Sequence, residues 1–238
     1  MSILIHNEPV LEKMYKHFKD NGISSSFLKQ KLDFETNYLY PHFLGTSVTI
    51  RNVGSLKLEN SPIDYIHIIK KEEEVKCDYV MGSYVGMGLH KHTWWKLRFF
   101  LSFPEQINIG PLKIGTISII KKGLFNSKIE DYYWNGYPKL TTLPPGIVND
   151  NVVESLDSDS TLRDLMIKCL INERVITISK YSSENTSNRL KTNSKIVIEA
   201  KWRLKRELRL DKDTLDMYEK MAKIIKQTIN NLKYHLTQ

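Results

Sequence analysis

KIVIEAKWRLKRELRLDKDTLDMYEKMAKIIKQTINNLK, residues 195–233, changes its period in the middle. From Lys195 to Lys205 apolar and charged residues alternate in twos, as a half-buried strand requires. Ile198, Ala200, Trp202 and Leu204 take one face, and Lys201, Arg203 and Lys205 take the other. From about Asp211 the apolar residues return at helical spacing: Leu215, Tyr218, Ala222, Ile225, Ile229 and Leu232 line one side, with Met221 beside them. Asp213 in the first turn favours the helix dipole. A strand therefore hands over to a long amphipathic helix that covers this end of the sheet.

Working back from that junction, RVITISKY at 174–181 reads as a strand, joined to 195–205 as a hairpin by the polar loop 182–194. The cluster Ser158–Thr161 caps a helix whose core side is Leu162, Leu165, Met166, Cys169 and Leu170. Cys169 on that side is a core thiol rather than a nucleophile. Residues 121–155 combine Gly123, Gly136, Pro138, Pro144, Pro145 and Gly146 with Tyr132, Tyr133, Trp134 and Tyr137. Low periodicity and aromatic density predict an ordered arm lying over the sheet.

The N-terminal half is richer in strands. A first helix is predicted over about 8–20, with Asn7 as N-cap, Pro9 in the first turn and Gly22 at the stop. Ser24–Ser26 caps a short second helix through about Leu32, and FETNYLYPHFLG then breaks regularity. Val48 and Ile50 begin a strand, Asn52-Val53-Gly54-Ser55 turns it, and Leu56 and Leu58 begin another. Residues 63–69 read as a strand buried on both faces, with Lys70–Glu74 as a charged turn. Residues 78–103 read as strand, Gly-rich bend and strand, and 112–120 as a further strand. On the 94–103 strand, Trp95, Leu97, Phe99, Leu101 and Phe103 share the apolar face, and Trp94, Lys96, Arg98 and Phe100 share the other.

The order helix, strands, helix, hairpin, helix predicts an α+β fold: a mainly antiparallel sheet with an N-terminal helix, a mid-chain helix and a long C-terminal helix. The 238 residues read as a single domain, with a possible subdivision into a sheet-rich half, 1–125, and a helix-strand-strand-helix half, 155–238, joined by the arm 126–154. A composition of 41% hydrophobic and 26% charged residues excludes a disordered chain. The longest apolar runs are too short for a transmembrane segment, and the N-terminus does not read as a secretory signal. With two distant cysteines, Cys77 and Cys169, the expectation is a soluble cytoplasmic protein with reduced thiols.

The net charge of +8 is unevenly spread. Residues 189–212 carry +6, whereas 130–164 carry −5, so the two segments either face one another or leave a basic surface open. Basic side chains interleaved with aromatics on a strand face are how several modules hold single-stranded nucleic acid. Trp94, Lys96, Arg98, Lys201, Arg203 and Lys205 are the residues of such a surface. Its partner would be nucleic acid, another polyanion or an acidic protein.

Two enzyme or metal motifs compete with that reading. Glu199-x-Lys201 has the form of a nuclease half-motif, in which a strand carboxylate binds Mg²⁺ and a lysine meets the scissile phosphate. It requires a second acid, which the preceding strand lacks. His90-x-His92 places two imidazoles on one strand face, with His67, Asp78 or Cys77 as third ligand. Gly82, Gly86 and Gly88 form neither a phosphate loop nor a dinucleotide fingerprint. The expectation is a binding or scaffolding protein without an evident catalytic site and without a cofactor; oligomeric state is not set by the sequence.

Overall fold

The structure is a computed structural model. It describes residues 9–28, 36–40, 46–81, 84–103, 112–122, 127–136, 147–169, 176–181, 195–203 and 210–236. The described elements run, in chain order, α1 (Pro9–Asp20), β1 (Ser25–Phe27), β2 (Thr36–Tyr40), β3 (Thr46–Leu58), β4 (Tyr65–Met81), β5 (Tyr84–Ser102), β6 (Lys113–Lys122), β7 (Ser127–Gly136), α2 (Ile147–Asp157), α3 (Ser160–Cys169), β8 (Ile176–Lys180), β9 (Lys195–Arg203) and α4 (Lys212–Leu236). All described strand pairs are antiparallel. They build one nine-stranded sheet in the order β1-β3-β4-β5-β9-β8-β6-β7, with β2 also on β3. The α+β architecture is the one the sequence predicts.

Alternation in β5 and β9 decides what the helices cover. Leu97 and Phe99 lie opposite Ala200 and Ile198, and all four are fully buried. Phe99 stacks on Tyr218 of α4 with ring centroids 3.9 Å apart. Around them, Leu11, Met14 and Phe18 of α1, Val152 and Leu156 of α2, and Leu162, Met166 and Cys169 of α3 join one core. The helices therefore lie on one side of the sheet, which an antiparallel sheet permits.

Local signals explain the helix ends. Gly22 adopts φ +73° after α1; its N–H donates to the Lys19 carbonyl, and the Ile23 N–H to the Phe18 carbonyl. That pattern closes a helix through a left-handed glycine. Asp159 Oδ1 accepts the Leu162 N–H at 2.8 Å, and Asp211 Oδ1 accepts the Thr214 N–H at 2.8 Å, capping α3 and α4.

Five sequence expectations are corrected. Ser25–Phe27 is a strand on β3, not the start of a helix, and Tyr15 of α1 packs on Phe27 at 4.6 Å. Thr36–Tyr40 is regular and pairs with β3. The turn predicted at Asn52–Ser55 is a register shift inside the continuous strand β3, where Gly54 has φ +146°. Lys70–Glu74 does not turn: β4 runs through it, with Lys70 Nζ 5.8 Å from the Trp95 ring centroid. The arm at 126–154 contains the edge strand β7 and the helix α2, because Tyr132 and Trp134 bury beneath the helices as an alternating pair. The predicted Asn7 cap, Leu170, Leu204, Lys205 and the 182–194 loop lie outside the described residues.

Candidate nucleic-acid interface

The sheet face away from the helices holds the candidate residues. Register places Arg98 opposite Glu199, Lys96 opposite Lys201, and Trp94 opposite Arg203 on neighbouring strands β5 and β9. Five of the six residues of the predicted basic surface therefore occupy one two-strand ladder; Lys205 lies outside the described residues. Two lysines directly opposite each other are an unfavourable cross-strand pair on their own.

Glu199 offsets that charge. Lys96 Nζ donates to its Oε1 at 2.7 Å, and Arg98 Nε donates to its Oε2 at 2.8 Å. The three side chains are 28%, 29% and 22% exposed, so the cluster lies at the surface with partial screening. Burial pushes the Glu199 carboxyl up, but Lys96 and then Arg98 outweigh it and hold the group below the usual carboxylate range. The carboxylate that the nuclease motif would give to a metal is thus engaged by two cations. Its cross-strand neighbour on β8 is Thr177.

Further along β4, a second polar pair continues the same row. His67 lies opposite Arg98, and Ser55 opposite His67. Ser55 Oγ and His67 Nδ1 are hydrogen-bonded at 2.7 Å. At 4% and 3% exposure they are sealed from solvent, so this serine–histidine pair joins strands rather than meeting a substrate. Burial, and then the Arg98 charge, lower the His67 pKa to about 4.

Phe100, expected on the basic face, is on it but is 2% exposed. It stacks on Tyr65 at 4.4 Å and meets Tyr181 edge-on at 5.2 Å. Lys195 Nζ lies 5.5 Å from the Tyr65 centroid. This closed aromatic cluster bounds the cation row at one end, while Trp94 holds the register position at the other.

The sequence reading missed the far side of the face. Thr177 pairs with Glu199 and Gly115 with Thr177, so the Arg98–Glu199 row reaches β6; Ile117, two positions beyond Gly115, and its β7 partner Tyr133 lie on the same face. Ile117, Ile119 and Tyr133 are 39%, 46% and 47% exposed, the large exposed hydrophobic residues among those described. Two strand spacings, about 10 Å, separate β9 from β6. The signal was present in Tyr132-Tyr133-Trp134, where period two exposes the middle ring once its neighbours are buried.

Two acids of 130–164 meet cations outside 189–212: Asp131 binds Arg163 at 2.7 Å and Asp159 binds Lys220 at 3.2 Å. Lys96 and Arg98 are balanced by Glu199 of the adjacent strand.

For the histidine motif, register sets Val75 opposite His90 and Glu73 opposite His92. His67 lies opposite Arg98, six positions beyond His92, or about 20 Å along the strand, too far for a shared ion. Asp78 falls on the other strand face, whereas Cys77, opposite Gly88, stays on that of His90. Among the described residues, no group of three or more His, Cys, Asp or Glu side chains is placed to hold a metal ion. No described helix is long and apolar enough to cross a membrane. Comparison of the chain with protein-family models, curated proteins and solved structures finds no match.

Proposed function

We propose that the chain binds single-stranded nucleic acid through the helix-free face of its sheet. The observation that supports this is a single sheet face that sets Lys96 opposite Lys201 on β5 and β9 and carries exposed Ile117 and Tyr133 on β6 and β7. Phosphates pair with the cations, and bases stack on Tyr133 and at the Trp94 position, a combination tolerant of sequence.

A labelled oligothymidylate titrated at 50 and 200 mM salt tests the proposal. Lys96, Arg98, Lys201 and Arg203 less Glu199 amount to about three net cations, so affinity falls roughly twentyfold between the two conditions. Trp94→Ala weakens binding by about 1–3 kcal/mol if bases stack there. No binding at low salt overturns the proposal. Equal binding of inorganic polyphosphate, with no effect of Trp94→Ala, overturns the base-stacking part and leaves a general polyanion surface.

A further inference from the structure

The Lys96–Glu199–Arg98 cluster has more donors than its carboxylate uses. Arg98 has five N–H donors and Lys96 three. Among the described residues Arg98 donates only its Nε–H, to Glu199 Oε2, and Lys96 donates to Oε1. The terminal amino groups of Arg98 retain their capacity on a side chain that is 29% exposed. Both cations come from one strand, two positions apart, and converge on one anion from the next strand. A phosphate oxygen requires the same convergence of donors.

We infer that Lys96 and Arg98 form a phosphate subsite whose resident counter-anion in the free protein is the Glu199 carboxylate, and that a bound strand takes the subsite by exchanging phosphate for that carboxylate. The inference rests on the nucleic-acid reading above. Exchange is favoured over addition by charge. A phosphate arriving while the carboxylate stays would set two anions within a few ångströms on the same two cations, and their repulsion would cancel much of the attraction gained. Once displaced, Glu199 still lies beside Lys201 along β9 and Thr177 across on β8, at a position 22% exposed that water reaches. Glu199 is thereby a brake: it keeps the cation row folded and paired when no nucleic acid is present, and it weakens binding when nucleic acid arrives. The competing account makes Glu199 a simple clamp between β5 and β9, with no effect on ligand.

Glu199→Gln separates these accounts, because the amide keeps the shape and one hydrogen-bond acceptor while removing the charge. Titrated with oligothymidylate at two salt concentrations, the variant is expected to bind about three- to tenfold more tightly than wild type, with a steeper salt dependence. If wild type binds and the variant binds equally or more weakly, the exchange is overturned while the nucleic-acid reading stands. If neither binds at low salt, both fall. Should the variant not fold, carboxyl NMR on the wild-type protein decides. Saturating oligothymidylate moves the Glu199 ionisation midpoint upward as the group leaves Lys96 and Arg98 for a site near phosphate, with Thr177 and Lys201 its other neighbours; an unmoved midpoint overturns the exchange.

Discussion

Phe99 and Phe100 are adjacent in sequence and have opposite fates. Phe99 enters the helix-covered face and stacks on Tyr218 of α4; Phe100 enters the open face and stacks on Tyr65. The two faces of the sheet differ in the same way throughout. On the covered face nearly every position is an aliphatic or aromatic side chain joined to one core. On the open face, buried Ile69, Phe100 and Val197 sit apart from that core and share their surface with Lys96, Arg98 and Glu199. Packing decides residue type on the covered face, and charge balance decides it on the open one. Stability should therefore reside mainly on the first and ligand affinity on the second.

The largest effect is expected under α4. Ile225 is fully buried and belongs to the core. Ile225→Ala should cost roughly 2–5 kcal/mol through lost burial and the cavity left behind. Chemical denaturation measures it, and a loss below about half a kcal/mol would mean that α4 does not hold the covered face together.

His67 is the place where the open face also bears on stability. Its folded pKa, about 4, lies below the ordinary value of 6.5, because burial and then Arg98 disfavour the imidazolium. Between those pH values the unfolded chain takes up a proton that the native state refuses. The stability contribution is intact above pH 6.5 and is lost as pH falls towards 4, with a total of about 3 kcal/mol. His67→Gln, which keeps hydrogen-bonding capacity towards Ser55, should flatten the dependence of unfolding free energy on pH in that window. An unchanged slope would remove His67 as the titrating group. Glu199, held low by Lys96 and Arg98, contributes acid sensitivity in a lower window, below the ordinary carboxylate range.

A smaller loss is expected at the bulge in β3. Gly54 has φ +146°, and a Cβ built there would meet Leu11 Cδ2 of α1 at 2.6 Å. Gly54→Ala should cost about 1–3 kcal/mol, from a backbone conformation that suits glycine and from displacement of Leu11. A thermal melt within experimental error of wild type would show that β3 can run straight through this point without its bulge.

The covered face was the more legible in sequence, for a physical reason. Burial imposes a period, and period two in β5 and β9 and 3.6 in α4 survive in a single chain as pattern. Elements whose stability comes from distant partners left no such trace. Ser25–Phe27 carries a serine run that suits a helix cap equally well, and only its pairing with Leu56–Leu58 makes it a strand. Lys70–Glu74 looks like a turn because strand propensity there is low. Register supplies what propensity lacks, setting Glu74 opposite Lys91 and laying Lys70 over Trp95. On the open face the sequence grouped Lys96, Arg98, Lys201 and Arg203, and register sets their positions on the adjacent strands β5 and β9. It did not identify Glu199 as the counter-ion of Lys96 and Arg98, since a Glu-x-Lys strand reads equally as a metal motif until the neighbouring strand is known. Ile117 and Tyr133 were hidden for a similar reason: they share the face of the cations only because of the strand order, with β6 three strands and β7 four strands from β5.

The smallest effect on folding is expected where the effect on ligand is largest. Lys201 and Arg203 occupy open-face positions opposite Lys96 and Trp94. Replacing both with alanine removes two like charges from a row that already carries Lys96 and Arg98, so the loss of strand propensity is offset by relief of repulsion. The unfolding free energy should change by less than about 0.5 kcal/mol, as for surface positions generally. Oligothymidylate affinity should drop for every sequence alike, with the salt slope reduced by about 1.4 for two lost phosphate contacts. Denaturation and binding measured on the same preparation give the two numbers. A variant that loses more than about 1 kcal/mol of stability would place these cations in internal ion pairs. The division of labour between the two faces would then fail at the very strand, β9, whose alternation most clearly announces it.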